Sequence, residues 1–442
     1  MITFVGIILG MFAISVMQLV LAIALPHIVT EIGGGNLYSM VFSSYMISSI
    51  VMIPIFSKLA DIYGKKRFYL IGIGIFATGT LYGALASNMP ALIAARIIQG
   101  LGAGILTPVS LALVSDMFTA EKRGRMIAIF GVVQLVANLI SPLLGKSITE
   151  QLGWHWLFYL TLIAVLISGA VVAIRGIELI INSSKAKLSE IDFVGGLLFG
   201  ALCVLMVGFS NLISKEGSLS IISTLFLFGI VITALHLIRN ERKHKMPVIK
   251  IEFFKTKIIR RSILSSVVAG AIMYGLIAIL PLCGVLLDSQ GFKINESQML
   301  LFFMFGTTSG MVASSFLLKR LNSAIFTKTI WIMMSISSIS ILYFISLGHL
   351  IVFNFLNTII GLCLGTIMST FMINSQNAVE SEDRTVLSGL VQLGRYMGAS
   401  VGVTVFAGVL PEVGMINSVS QFAGAFGVLV VLSVLGLLNE VL

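Results

Sequence analysis

Long apolar runs alternate with short polar gaps along the whole chain, and this alternation sets the first expectation. A helix needs about 20 predominantly apolar residues to cross the hydrocarbon core of a bilayer. Fourteen such spans are expected, at roughly 3–30, 37–60, 68–87, 91–116, 125–148, 155–174, 192–213, 218–238, 261–287, 297–318, 328–347, 349–373, 385–410 and 421–440. The least distinct boundaries fall near Gly348-His349 and at 213–218. The first run has no basic stretch ahead of it and no A-x-A cleavage site, so it reads as a retained span and not a signal peptide. The fold class expected is an all-α polytopic membrane protein.

Composition reinforces the pattern. Mean hydropathy is +1.07, with 57% of residues hydrophobic and 10% charged, whereas about a quarter of residues are charged in soluble domains. The net charge of +10 therefore implies no nucleic-acid partner; basic residues in such chains mark the cytoplasmic side of the membrane. With both termini inside, inner loops hold 23 of the 28 Lys and Arg. Lys146, Lys215 and Lys293 fall outside, and Arg96 and Arg395 lie within spans. This asymmetry predicts cytoplasmic termini and a plasma-membrane location. The longest basic loop, Arg239 to Arg261, interleaves its charges with Met246-Pro247-Val248-Ile249 and Phe253-Phe254. It reads either as a topology signal or as an amphipathic segment on anionic inner-leaflet lipid. Cys203, Cys283 and Cys363 sit far apart in apolar runs, as buried small hydrophobes would, with no metal-binding spacing.

The spans suggest two six-helix halves, 1–174 and 261–442, joined by a segment 175–260 that carries two inserted helices and the basic loop. Paired halves around a midplane site are a common build of secondary transporters. Polar residues inside spans are the candidates for function, because a charge there is costly and usually faces protein or a wet cavity. In the fourth span the run Arg96-Ile97-Ile98-Gln99-Gly100-Leu101-Gly102-Ala103-Gly104 puts an arginine and a glutamine on or beside one face. After the second span, Asp61, Gly64, Lys65 and Arg67 can form a latch: Gly64 allows a tight turn, and Asp61 can pair with Arg123 or Arg125. Such a contact, present in one state and broken in another, biases a conformational equilibrium. The lysines alone could equally be a topology signal.

The motifs resemble those of the major facilitator superfamily. Ser57-Lys58-Leu59-Ala60-Asp61-Ile62-Tyr63-Gly64-Lys65-Lys66-Arg67 is similar to the family's G-x-L-A-D-x-x-G-R-K-x loop, with Ser57 and Lys65 as departures. Arg96, Gln99, Gly100 and Gly102 complete its R-x-x-Q-G-x-G signature. Ser141-Pro142-Leu143-Leu144-Gly145-Lys146 is similar to the antiporter G-P-x-x-G-G element, with Ser141 and Lys146 in place of two glycines. Fourteen spans and the thirteenth, Ser388-Gly389-Leu390-Val391-Gln392-Leu393-Gly394-Arg395-Tyr396-Met397-Gly398, resemble the fourteen-helix drug:proton antiporter branch, and within it Gram-positive multidrug efflux pumps.

That resemblance implies the MFS fold: two six-helix bundles plus two inserted helices. It also implies export of amphipathic drugs or dyes in exchange for protons by alternating access, with no cofactor beyond the proton gradient. Arg96 would lie beside the proton path, and Ser141, Pro142 and Gly145 would shape helix 5. One departure matters. Where the branch carries a membrane-embedded aspartate in the first span, this chain has Met17, and Ala22 replaces an asparagine. None of the 18 acids falls near the middle of a span, so proton coupling is expected at outer helix ends: Glu31 with His27 first, then Asp288 and Glu412. For each acid a solvated helix end is the plain alternative. The counter-charge of Arg96 is expected from Glu31, or from Gln18 and backbone carbonyls with no carboxylate.

The resemblance places a substrate cavity on helices 1, 2, 4 and 5 and 9, 10, 12 and 13. Candidates are Gln18, Tyr45, Gln99, Gln134, Asn138, Tyr274, Phe302, Asn357, Gln392, Arg395 and Tyr396. Apolar walls with a few polar groups suit amphipathic ligands, and 21 methionines help such walls re-pack. A second charge would meet no buried acid, so quinolone-like zwitterions or monocations are expected over dications. Competing readings are a proton-coupled or uniport carrier of a small metabolite, or a non-transporting membrane sensor. No enzyme motif appears.

Overall fold

The computed structural model of the chain describes residues 2–118, 120–175, 192–216, 220–244, 247, 251–289, 296–317, 323–346, 350–379, 384–411, 416 and 418–441. Fourteen α-helices run through the described residues, and no strand does. They are α1 (Ile2–Ile32), α2 (Tyr38–Tyr63), α3 (Lys65–Ala84), α4 (Met89–Met117), α5 (Ala120–Leu152), α6 (His155–Arg175) and α7 (Phe193–Glu216). The series continues with α8 (Ile221–Lys243), α9 (Lys257–Ser289), α10 (Glu296–Leu317), α11 (Ser323–Ser346), α12 (Leu350–Asn377), α13 (Arg384–Gly408) and α14 (Ala423–Val441). Among the described residues, eleven stretches are long and apolar enough to cross a membrane. Of the indistinct sequence boundaries, Gly348-His349 lies outside the described residues and 213–218 runs into the undescribed 217–219.

Two helix starts differ from the sequence expectation for local reasons. Lys65, Lys66 and Arg67, expected as loop, form the first turn of α3, so Gly64 alone separates α2 from α3. Its φ of 107° lies where a side chain is strained, which is why glycine serves there. The helix α4 starts where Asn88 accepts a hydrogen bond from Ala91 N at 2.9 Å, with Pro90 in the first turn, where a missing N–H costs nothing. Pro26, Pro108, Pro142 and Pro281 lie inside α1, α4, α5 and α9.

Contacts divide the chain into two compact units: residues 1–205 with 227–249, and residues 206–226 with 250–442. In the first unit α1 packs on α5 and α6, α2 on α4, and α3 on α4 and α6. In the second, α9 packs on α13, α10 on α12, and α11 on α12 and α14. Beyond residue 250, Phe253 is buried within a short 3₁₀ turn, Ile251–Lys255, that leads into α9.

The helix pairs approach closely because glycines face carbonyls. A Cβ on Gly100 or Gly104 would strike the backbone of α2 at Tyr45 and Ser49; one on Gly361 or Gly365 would strike the backbone of α10 at Phe303 and Thr307. The same register appears twice. Val41 O accepts from Arg96 of α4, and Met299 O accepts from Asn357 of α12 at 2.9 Å. Val41, Tyr45 and Ser49 thus stand to Arg96, Gly100 and Gly104 as Met299, Phe303 and Thr307 stand to Asn357, Gly361 and Gly365. The repeat that is faint in the sequence is distinct in the contacts.

Small residues carry this packing because lipid tails supply no hydrophobic drive between spans, leaving van der Waals contact and hydrogen bonds. Gly365→Val is expected to force α12 from α10, at a cost of roughly 1–3 kcal/mol. Thermal unfolding in detergent should show a lowered midpoint, against Gly131→Ala as control, where an added Cβ meets nothing within 4 Å.

Candidate functional site

Arg96 is among the largest fully buried side chains, at 1% exposure. Its Nε donates to Val41 O of α2 at 3.2 Å, and its Nη1 donates to Gln99 Oε1 at 2.8 Å. The Tyr45 ring lies beneath the guanidinium, 4.0 Å from ring centroid to Cζ, close enough for a cation–π contact. Gln99 then donates from Nε2 to Thr80 Oγ1 of α3 at 2.9 Å, and Thr80 donates to Phe76 O at 2.7 Å. A spacing of three residues sets Arg96 and Gln99 on one helix face. The glycines complete the geometry: Gly100 and Gly104 admit α2, while an added Cβ on Gly102 would press on Phe76 of α3. The R-x-x-Q-G-x-G-x-G run is thus a three-helix junction with a cation at its head.

The counter-charge expected from Glu31 is absent. No carboxylate among the described residues pairs with Arg96, and its Nη2 has no hydrogen-bond partner. Glu31 is exposed and accepts instead from Trp154 Nε1 at 2.9 Å. That indole is buried and stacks on His155, with ring centroids 3.7 Å apart. Glu31 therefore ties the C-terminal end of α1 to the start of α6. His27, one turn before Glu31, is half-buried, Asp288 is exposed at the end of α9, and Glu412 lies outside the described residues.

Met17 explains where the aspartate of the resembling branch has gone. It is 1% exposed and packs on α6, with Thr161 Oγ1 3.4 Å from its sulfur. The Thr161 hydroxyl, which also bonds Leu157 O at 2.7 Å, is a neutral donor, and an ionised carboxylate buried here would be costly without a cation beside it. Next to it, Gln18 faces α2 and donates to Met46 Sδ at 3.7 Å. A polar chain joins α1 to α5: Ser15 donates to Gln134 Oε1 at 2.9 Å, and Gln134 Nε2 donates to Asn138 Oδ1 at 3.0 Å. Farther along α5, Ser141 donates to Ala137 O at 2.6 Å, and Gly145 lets α5 meet α1, where an added Cβ would lie 3.0 Å from Ile23 Cβ. Pro142 is buried beside them, and Lys146 pairs with Glu150 at 3.4 Å.

At the opposite end of the first unit, Lys65 forms an ion pair with Asp116 at 2.6 Å, joining the start of α3 to the end of α4. The side chains of Asp61, Arg123 and Arg125, expected to latch with each other, lie outside the described residues, and Arg67 is exposed. In the second unit, the Tyr274 and Tyr396 rings meet edge to face at 6.4 Å. Arg395 Cζ lies 5.6 Å from the Tyr396 ring, Gln392 is half-buried, and Phe302 is 41% exposed.

Several contributors escaped the sequence reading. Asp116, Thr80, Trp154 and Thr161 each matter through a partner on a different helix. So do Glu440, which accepts from Thr327 at 3.0 Å, and Asp192, which accepts from Asn240 at 2.8 Å. Only Asp116 carried a signal, as an acid closing a long apolar run. Gln99→Leu would strand Arg96 Nη1 in a buried site and leave the Thr80 hydroxyl only its bond to Phe76 O. An orphaned buried donor costs roughly 1–3 kcal/mol, so thermal unfolding in detergent should show a clear fall; an unchanged midpoint would contradict the junction.

Comparison with known proteins agrees with this architecture. Residues 6–403 match the Major Facilitator Superfamily. The chain is 26% identical over 408 residues to "Multidrug efflux pump SdrM" of Staphylococcus aureus (strain N315), covering 91% of this chain and 88% of that protein. It is 32% identical over 256 residues to "Multidrug resistance protein 3" of Bacillus subtilis (strain 168), covering 57% of this chain and 49% of that relative, about half its length. "Multidrug transporter protein MdtP" of the same organism is 26% identical over 417 residues, 92% of this chain and 74% of the relative. Among solved structures, the peptide transporter POT in complex with sulfate superposes with a TM-score of 0.69 at 18% identity, covering 99% of this chain and 94% of the other. The human organic anion transporter MFSD10 gives 0.66 at 14% identity, covering 99% of both chains. With a family match spanning most of its length and the fold to go with it, the chain belongs to the Major Facilitator Superfamily.

Proposed function

We propose that the chain is a proton-driven exporter of amphipathic drugs and dyes, working by alternating access in the plasma membrane with its termini and basic loops on the cytoplasmic side. The observation that carries the reading is the Arg96 junction. A fully buried cation held without a carboxylate is costly to keep for structure alone. The same unit carries a polar chain of neutral groups, Ser15, Gln134 and Asn138, and a Gln18–Met46 contact. Neutral hydrogen-bonding groups among thioether and aromatic surfaces suit ligands that share amphipathic character and little else. The names of the relatives, multidrug pumps in Bacillus and Staphylococcus, favour export over uptake of a metabolite. The basic segment before α9 is proposed to rest on anionic inner-leaflet lipid, and two six-helix bundles, 1–174 and 261–442, joined by a segment with an inserted helix pair, belong to the same proposal.

The proton site is proposed at the outer end of α1. Glu31 accepts from Trp154 Nε1, and a charged acceptor makes this bond roughly twice as strong as a neutral one. A proton taken up by Glu31 would therefore weaken the tie between α1 and α6, and His27 lies one turn away on α1. Asp288 and Glu412 are the next candidates. In Glu31→Gln the amide oxygen still accepts from Trp154 but no longer titrates. Cells carrying this variant are expected to accumulate ethidium several-fold more than cells with the unaltered chain, and a protonophore should add little. Export by the variant that remains fully protonophore-sensitive would remove Glu31 from the coupling step. Export by the unaltered chain with no proton dependence would sink the antiport reading.

A further inference from the structure

The two units repeat one helix-pair register, and one position in it has changed chemistry. In α1 and α5, Gly145 meets Val20 O and Ile23, and Pro26 follows Val20 by six residues. In α9 and α13, Gly275 meets Phe406, and Pro281 follows Gly275 by six. Aligning the prolines sets Val20 on Gly275 and, through these contacts, Gly145 on Phe406. A second contact checks the register independently. Ser15 bonds Gln134 in the first unit; the corresponding Gly270 abuts the backbone of the corresponding Arg395 in the second.

The correspondence exposes a difference. Gln134 is satisfied by its own unit, accepting from Ser15 and donating to Asn138. Its counterpart Arg395 has Gly270 where Ser15 would stand and Ala399 where Asn138 would stand, and neither offers a polar side-chain atom. Among the described residues, Arg395 makes no hydrogen bond and no ion pair, and its Nε is buried without a partner. Its guanidinium lies over the face of Tyr396, which meets Tyr274 edge to face. Arg395 lies eleven residues into α13, about 17 Å along the axis at 1.5 Å per residue. It stands farther from either helix end than an arginine reaches, so a lipid phosphate does not answer its charge.

We propose that Arg395, with Tyr274 and Tyr396, is the recognition site for an acidic group on the transported compound. The class of substrate is an aromatic amphipath bearing a carboxylate, alone or as a zwitterion. The guanidinium fork takes the carboxylate in a bidentate, charge-assisted pair, and the two phenol rings take the aromatic body. This inference deepens the transport reading and rests on it. It assigns the acid-selecting charge to the second unit alone, since the matching place in the first unit is filled by a neutral, self-satisfied amide.

The test compares a fluorescent quinolone acid with its ethyl ester in inverted membrane vesicles, with ethidium as a third probe. The unaltered chain should transport the acid over the ester. Arg395→Gln should lower the acid-to-ester ratio at least tenfold, and Arg395→Lys, which keeps the charge but not the fork, should restore only part of it. Ala399→Asp, which supplies an internal carboxylate one turn along α13, should also abolish the preference while leaving the guanidinium in place. Folding of each variant is followed by its elution profile and unfolding midpoint in detergent. A ratio unchanged in Arg395→Gln overturns the proposal, as does an unaltered chain that moves ethidium but not the acid. An unaltered chain that moves none of the three probes overturns the transport reading itself, and this inference with it.

Discussion

Close backbone approach between spans is the constraint on which the rest of the structure depends. In lipid, water does not drive helices together, so they must touch along their backbones and satisfy their polar groups on each other. Glycines four residues apart on α4 and on α12 meet this demand against α2 and α10. Each contact is headed by a polar side chain, Arg96 or Asn357, that bonds the first carbonyl of the row. The polar group is affordable only because the glycines bring that carbonyl within reach, and the row of small residues holds its register because the polar group pins one end. Neither half of the arrangement stands without the other.

The units share this frame and differ in what they hang on it. The first carries a buried cation, an amide relay to α3 and a neutral polar chain between α1 and α5. The second carries an amide where the first has the arginine, and an arginine where the first has an amide. Two helix pairs, α2 with α4 and α1 with α5, have exchanged charge with their counterparts while keeping the backbone contacts. Architecture is conserved between the units by packing, and chemistry is distributed over them by single substitutions that packing tolerates.

Much of the fold was legible in the order of residues because membrane spans are written in composition. Apolar run lengths gave the helices, and the R-x-x-Q-G-x-G run marked the junction. The partners were not legible. Arg96 suggested an acid, and Glu31 at the end of the first span was the one expected, yet Glu31 bonds Trp154 while Arg96 bonds Val41 and Gln99 and lies over the Tyr45 ring. Lys65 read as loop and proved to be the first turn of α3, paired with Asp116 across fifty-one residues. Which side chains meet is decided by the rotation of one helix against another, and that rotation depends on every small residue in the interface. Met17 shows the same limit: the sequence reports a missing aspartate, while only the contact with Thr161 shows an interior position on α6.

The uncompensated charge of Arg96 also has an electrical side. A fixed cation inside a low-dielectric span feels the voltage across the bilayer, and moving one charge through the full drop takes about 2.3 kcal/mol per 100 mV. If the junction shifts along the field during a working cycle, even by part of the thickness, an inside-negative cell biases its resting position toward the cytoplasm. A carboxylate beside Arg96 would have cancelled that force. Held by a carbonyl, an amide and a ring, the guanidinium would carry its charge through any such shift.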